Sequence, residues 1–202
     1  MTSQGSGLIA VAICFLVLAF ATVVLRCYVR IRLSRGFRVD DALSVATLIF
    51  FILGSVCLLI GVETGSFGHM WTQLSEQKLV AGLKLLFIYE MAYITGTCMV
   101  KLSISMFLLR FTVERKYTWI LYGVLTIILT YSIFLLLFAV FQCDPVSAFW
   151  DPRGHCNRTG VVKVTYAHSA IVSATDWTLS ILPIFICQRC HLGKVCICSR
   201  SL

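Results

Sequence analysis

The sequence has 202 residues, of which 59% are hydrophobic and only 13% are charged, and its mean hydropathy is +0.91. Soluble domains carry about 25% charged residues, so this composition excludes an ordinary soluble protein and indicates an integral membrane protein. The formal net charge is +8. Because the basic residues are concentrated in short segments between apolar runs, they indicate membrane orientation and not nucleic-acid binding.

Five apolar runs are long enough to cross a bilayer, whose core of roughly 30 Å takes about 20 helical residues. The first run lacks the basic start and small-residue cleavage site of a signal peptide, so we expect it to persist as a helix. Pro183 is expected to interrupt the fifth run near its end. The sequence therefore predicts an all-α, polytopic transmembrane helix bundle in residues 1–186, followed by a Cys-rich cytoplasmic tail in 187–202. The runs cover 7–25, 42–62, 85–110, 119–141 and 163–186.

The distribution of basic residues predicts how the bundle is oriented. Five arginines follow the first run within thirteen residues, and the alternate segments hold eleven Lys and Arg against five on the other side. The positive-inside rule then places the N-terminus outside and the C-terminus inside. The same arginines should attract anionic lipid, by about 1 kcal/mol per basic residue near the surface. Asp40 and Asp41 precede the second run, where acidic residues complement a helix start.

Charged residues inside the third and fifth runs are the first candidates for a functional site. Glu90, Tyr93, Thr97 and Lys101 have the spacing i, i+3, i+7 and i+11, which places them on one helix face. A lone charge at mid-bilayer costs at least about 2.5 kcal/mol, so Lys101 requires a partner. Asp176 lies at a similar depth in the fifth run and shares a face with Ser169, Ser173 and Ser180. We hypothesise that Lys101 and Asp176 form an ion pair.

Two interpretations of this pair remain open with equal weight. A buried ion pair can act as a structural clamp that fixes helix register. It can also be a switch, a proton site or a ligand site, since ionisable residues inside a membrane are functional candidates. Glu90 is nearer the outer surface, where we expect it to line a water-filled cavity or to extend toward the interface.

The segment between the fourth and fifth runs is predicted to be an outer loop. Cys143 and Cys156 lie in it, and an oxidising compartment favours a disulfide between them, with Trp150 held at the membrane surface; two free thiols are the alternative. Asn157 begins a glycosylation sequon, Asn157-Arg158-Thr159. Its closeness to Cys156 and to the fifth run argues against actual glycosylation.

Catalytic motifs are absent from the sequence, which contains no serine elbow, HExxH, P-loop or dinucleotide-binding fingerprint. We therefore predict that the protein is not an enzyme and holds no cofactor or metal. His69, His155 and His168 are scattered and are interpreted as surface or packed residues.

The cysteines of the tail allow several interpretations. The segment from Cys187 through Cys190 to His191 matches a haem-attachment pattern, and with Cys196 and Cys198 it could form a zinc cluster. Cysteines beside basic residues at a membrane more naturally indicate reversible palmitoylation of Cys187 and Cys190. An unstructured tail with incidental cysteines is the simplest alternative.

Several segments, taken in order, resemble the fungal rhodopsin-like domain family. These are seven-helix proteins of filamentous fungi, among them appressorium-signalling receptor-like proteins and integral membrane proteins encoded in toxin clusters. The residues that carry the resemblance are Arg30, Arg35-Gly36, Asp40-Asp41, Gly65, Gly68-His69, Trp71, Lys101-Leu102-Ser103-Ile104, Arg110-Phe111, Phe141-Gln142-Cys143-Asp144-Pro145, Phe149-Trp150-Asp151, Cys156, Thr175-Asp176 and Leu182-Pro183.

The resemblance implies five spans of a seven-helix, receptor-like fold. It does not imply retinal, because a retinal lysine belongs in a seventh helix and Lys101 lies in the third. The family pattern would continue beyond Pro183 into two more spans, so the different ending here suggests a truncated gene model, an altered splice product or a shortened paralogue.

Three functional hypotheses follow from these observations. The first is a receptor-like protein of the plasma membrane, with an unknown extracellular ligand and cytoplasmic signalling partner. The second is a transporter or membrane component of a secondary-metabolite pathway, in which Glu90, Lys101 and Asp176 line a polar path. The third is a non-functional truncated product.

Overall fold

Five long α-helices form the framework of the chain. A computed structural model describes residues 3–33, 36, 38–67, 75–112, 115–151, 156 and 158–192, and no strand occurs in these ranges. The all-α prediction is confirmed. The helices are α1 (Ser3–Arg32), α2 (Val39–Glu63), α3 (Glu76–Phe111), α4 (Arg115–Phe141) and α5 (Arg158–Leu192), with a short 3₁₀ helix (Val146–Phe149) between α4 and α5.

Each apolar run of the sequence lies within one helix, and the helices extend beyond the runs into polar sequence. Helices α1 to α4 are long and apolar enough to cross a membrane. Helix α5 is not among these four; it contains Lys163, His168 and Asp176 together with many Ser and Thr residues. Pro183, which was expected to interrupt the fifth run, lies inside α5, and the helix continues to Leu192. A proline in a helix chiefly removes one backbone hydrogen bond, and a packed helix can tolerate this loss.

Helices α2, α3 and α4 form the centre of the bundle. Small residues bring α2 and α3 together: a methyl group on Gly96 would lie 3.4 Å from Cβ of Phe50, and one on Gly54 would lie 3.5 Å from the ring of Tyr89. Helix α5 joins through a buried apolar cluster that connects it to α3 and α4. Its members are Leu108, Leu121, Ile128, Leu179 and Leu182.

The predicted disulfide between Cys143 and Cys156 is present and closes the loop between α4 and α5. The loop packs against the N-terminal half of α3. The Phe87 ring lies 5.3 Å from the ring of Phe149 and 6.0 Å from that of Trp150. The disulfide and these aromatic contacts therefore fix the loop on the N-terminal half of α3.

Candidate functional site

Lys101 connects α3 to α5. Its Nζ lies 2.9 Å from Oδ1 of Asp176 and donates hydrogen bonds to Oγ1 of Thr175 at 2.6 Å and to the carbonyl oxygen of Val172 at 3.1 Å. An ammonium group has three donors. The α5 backbone and two adjacent side chains thus supply three oxygen partners for one buried lysine.

The two partners of the ion pair have different surroundings. The Lys101 side chain is 9% exposed, whereas the Asp176 side chain is 55% exposed. Ser169, Ser173 and Ser180, which share a face with Asp176, are also exposed. The described helices therefore enclose the lysine and leave the carboxylate accessible at the edge of the bundle.

The remaining candidates on α3 are placed at different levels of the helix. The Thr97 hydroxyl donates to backbone carbonyls within α3. Thr97 and Lys101 both line a small cavity, described below. Tyr93 packs edge-on against His168, with ring centres 6.3 Å apart. Glu90 lies about 16 Å from Lys101 along the helix axis. Within the described part of the chain, Glu90 forms no ion pair with it.

A small cavity between α3, α4 and α5 adjoins Lys101. Its volume is about 20 Å³, and its polar lining consists of Thr97, Lys101, Tyr131, Ser132, His168 and Thr175. Tyr131 Oη and both ring nitrogens of His168 are buried and have no hydrogen-bond partner among the described residues. The ring of His168 stacks on that of Tyr131 at 6.0 Å. A polar cavity of this size can accommodate about one water molecule bonded to two to four groups.

His168 and Tyr131 were missed as site residues by reasoning from sequence. His168 is packed, as one interpretation expected, but it is packed in the polar core. A usable signal was the spacing His168, Val172 and Thr175, which places these residues on one face of α5. The serine stripe that contains Asp176 is a clearer pattern in the sequence, but it lies on an exposed face of α5.

A second polar cluster lies at the opposite end of α3 from the disulfide loop. Asp40 and Asp41, at the start of α2, are 2% and 0% exposed. Arg26 of α1 contacts both carboxylates at 3.0 Å, and Arg30 contacts both at 3.5 Å. Arg110 of α3 completes the cluster through Nη2, which lies 2.7 Å from Oδ1 of Asp40. We name these five residues the arginine–aspartate cluster.

Two serines link the cluster to the packing of α2 on α3. The hydroxyl groups of Ser44 and Ser103 lie 2.9 Å and 2.8 Å from the backbone carbonyl oxygen of Asp40, to which each can donate. They also lie 2.8 Å from each other, so one can donate to the other instead. The sequence had suggested separate roles, with the acids complementing a helix start and the arginines marking orientation. The spacing of Arg26 and Arg30 at i and i+4, followed by an acidic pair, was the signal for a shared cluster.

Some sequence candidates lie outside the described residues. These include Asn157, His69, His155, Cys196 and Cys198, and the side chains of Cys187 and Cys190 are also not described. Glycosylation and palmitoylation therefore stay predictions. In the described ranges, no three His, Cys, Asp or Glu side chains are grouped so that they could hold a metal ion.

Comparison with known proteins relates this architecture to a family. The family model for the fungal rhodopsin domain matches residues 25–195. The chain belongs to the fungal rhodopsin domain family. The match includes the arginine–aspartate cluster, the disulfide loop and the ion pair between Lys101 and Asp176.

One curated relative of this fungal rhodopsin domain protein is the polyenoic acids biosynthesis gene cluster protein Ba17b of Metarhizium anisopliae. The two are 27% identical over 184 residues, which is 88% of this chain and 50% of the relative. The chain thus spans about half the length of that relative. No solved structure matches the chain.

Proposed function

We propose that this fungal rhodopsin domain protein is receptor-like and signals through a change in the contact between α3 and α5. The observation that carries the proposal is the one-sided ion pair, in which Lys101 is enclosed and Asp176 is accessible. A contact that serves only as a clamp is expected to enclose both charges. The accessible carboxylate can instead be engaged by a competing group, which gives the helix pair two possible arrangements.

The hydrogen bonds of Lys101 support such an exchange. If Asp176 turns away, the ammonium group keeps the Val172 carbonyl and the Thr175 hydroxyl as acceptors. Release of the carboxylate therefore does not leave the lysine without partners. This lowers the free-energy difference between the closed and open arrangements of the pair.

The contacts of α3 support transmission along the bundle. Its outer part packs on the disulfide loop through Phe87, its middle holds Lys101, and its far end reaches the arginine–aspartate cluster through Arg110. A cue that displaces the loop would act on the same helix that contacts α5. Coupling through such a rigid element with two arrangements is the physical requirement for a receptor.

The orientation belongs to the same proposal. The basic residues follow the positive-inside pattern for five spans with the N-terminus outside and the C-terminus inside. The disulfide then lies on the outer side, where oxidising conditions favour it. Detection of an extracellular cue requires the plasma membrane, and the cytoplasmic signalling partner would contact the Arg-rich side.

A second candidate function is that of a membrane component of a secondary-metabolite pathway, with transport through the polar core. The name of the relative from Metarhizium anisopliae places that protein in a biosynthetic gene cluster. In this alternative, Glu90, the 20 Å³ cavity and Asp176 would mark a polar path. The third alternative, a non-functional product, predicts that substitutions in the core change no activity.

A distance measurement across the helices tests the receptor proposal. Bio-orthogonal spin labels at Tyr122 of α4 and Ile184 of α5, both exposed positions, report the separation of these helices in nanodiscs. We expect Asp176→Asn to shift the distance distribution toward a longer separation. Ser173→Ala, on the same exposed face but outside the ion pair, should leave it unchanged.

Two results would contradict the receptor proposal. Superimposable distributions for the original chain and Asp176→Asn would mean that the pair does not control the position of α5. Proton flux in reconstituted vesicles that is lost on Asp176→Asn would instead support the transport alternative.

A further inference from the structure

An open cavity adjoins the arginine–aspartate cluster, between the start of α2 and the last turns of α3. Its volume is about 510 Å³, and it is lined by Arg38, Val39, Asp40, Ala42, Met106 and Arg110. It is separate from the small cavity beside Lys101, and neither the receptor proposal nor the transport proposal connects the two cavities. Its lining combines guanidinium groups with an apolar wall.

The charges around this cavity favour an anion. The exposed Arg38 and Arg110 line the cavity, and Arg110 belongs to the arginine–aspartate cluster, in which three guanidinium groups face two carboxylates. Asp40 and Asp41 are almost fully buried and already contact arginines, so they present little negative charge to the cavity. One monoanionic or dianionic group would balance the excess positive charge.

Arg110 retains the capacity to bind such a group. It uses Nη2 to contact Asp40 at 2.7 Å. A guanidinium carries five N–H donors in a planar fork, a geometry that matches phosphate oxygens. Binding to Asp40 therefore holds the Arg110 side chain in position without exhausting its donors.

The apolar wall distinguishes a lipid from a soluble anion. Val39, Ala42 and Met106 are exposed apolar residues beside the guanidinium groups. A free phosphate would leave these side chains uncovered, whereas the first methylene groups of an acyl chain would cover them. Arginines at this end of the helices also lie at the expected level of lipid headgroups.

We propose that the cavity between α2 and α3 is a binding site for an anionic phospholipid. Arg38 and Arg110 hold the phosphate of the headgroup, and Val39, Ala42 and Met106 contact the start of an acyl chain. The site stabilises the arginine–aspartate cluster by neutralising its excess positive charge. This goes beyond a general attraction of basic residues to an anionic surface, because it assigns a defined site with named contacts.

Lipid retention tests the proposal and does not depend on the signalling role or the orientation of the chain. The full chain is placed in nanodiscs of phosphatidylcholine mixed with dioleoyl phosphatidate, and bound lipid is quantified by native mass spectrometry after release. We expect phosphatidate to be retained in preference to phosphatidylcholine. Arg38→Gln should reduce this preference by about fivefold, the effect of one basic contact at a membrane surface.

Two further variants make the test specific. Arg115→Gln removes an exposed basic residue at the start of α4, outside the cavity, and should leave the preference for phosphatidate unchanged. Ala42→Phe fills the apolar wall without changing any charge and should reduce retention of phosphatidate. Circular dichroism establishes that each variant keeps its helix content.

Three outcomes would overturn the proposal. Equal retention of phosphatidate and phosphatidylcholine would show that no anionic lipid is selected. An equal loss for Arg38→Gln and Arg115→Gln would show a general charge effect. Displacement of phosphatidate by inorganic phosphate at a comparable concentration would show that the cavity binds a soluble anion and that the apolar wall has no role.

Discussion

Arg110, in the last turn of α3, contacts Asp40, in the first turn of α2, at 2.7 Å. These residues are seventy positions apart in the sequence. The contact joins two helices that otherwise meet through Gly54 and Gly96 and through the hydroxyls of Ser44 and Ser103. It makes Asp40 an acceptor for guanidinium groups from both α1 and α3. Asp40 is therefore the buried carboxylate at which α1, α2 and α3 meet at this end of the bundle.

Replacement of Asp40 by Asn should destabilise the bundle. The amide keeps the shape of the side chain but removes the negative charge that faces Arg26, Arg30 and Arg110. Hydrogen bonds to charged groups contribute about 1.5 to 3 kcal/mol, so we expect a decrease of about 2 to 3 kcal/mol in the free energy of unfolding. Reversible unfolding in mixed micelles measures this quantity. Glu76→Gln, at an exposed acid in the first turn of α3, is the control and should change the free energy of unfolding little. An equal decrease for the two variants would show that the arginine–aspartate cluster does not stabilise the bundle.

Replacement of Tyr131 by Phe tests whether the small cavity holds a bridging water. Tyr131 Oη has no partner among the described residues, so without water its removal should be neutral or stabilising. If a water connects it to His168 or Lys101, the substitution should lower the free energy of unfolding by about 1 kcal/mol. Tyr122→Phe, at an exposed position of the same helix, provides the baseline. A more stable Tyr131→Phe variant would exclude the bridge.

Removal of the disulfide should release the loop from α3. We expect Cys143→Ser with Cys156→Ser to lower stability by about 2 to 4 kcal/mol, because the unfolded chain regains the freedom of a closed loop. The contact of Trp150 with Phe87 should also weaken, which Trp150 fluorescence in a chain lacking the other three tryptophans would report. Cys27→Ser removes a thiol that is free in the structure and should change neither quantity. Unchanged fluorescence would mean that the aromatic contacts alone hold the loop.

The sequence was most informative where the environment of a residue left few possible partners. Lys101 lies in an apolar run, so a partner from another helix was required, and Asp176 was the available acid at that depth. Cys143 and Cys156 were the two cysteines in a polar loop that was expected to lie outside. In both cases the environment of the residue in the sequence restricted the choice of partner.

Other features were not predicted because each residue already had a sufficient local explanation. Asp40 complements a helix start and Arg26 obeys the positive-inside rule, so neither residue required the other. The spacing of His168, Val172 and Thr175 groups these residues on one face of α5, but which face of the helix points inward depends on how Leu179 and Leu182 pack against α3 and α4.

The most direct test of the account is a double-mutant cycle on the ion pair. The free energy of unfolding is measured in the same micelles for Lys101→Leu, Asp176→Leu and the double variant. Each single substitution leaves an uncompensated charge, whereas the double variant leaves none. If Lys101 and Asp176 compensate each other, we expect the double variant to be more stable than the less stable single variant. A double variant no more stable than that single variant would show that Lys101 and Asp176 do not compensate each other, and would contradict the account.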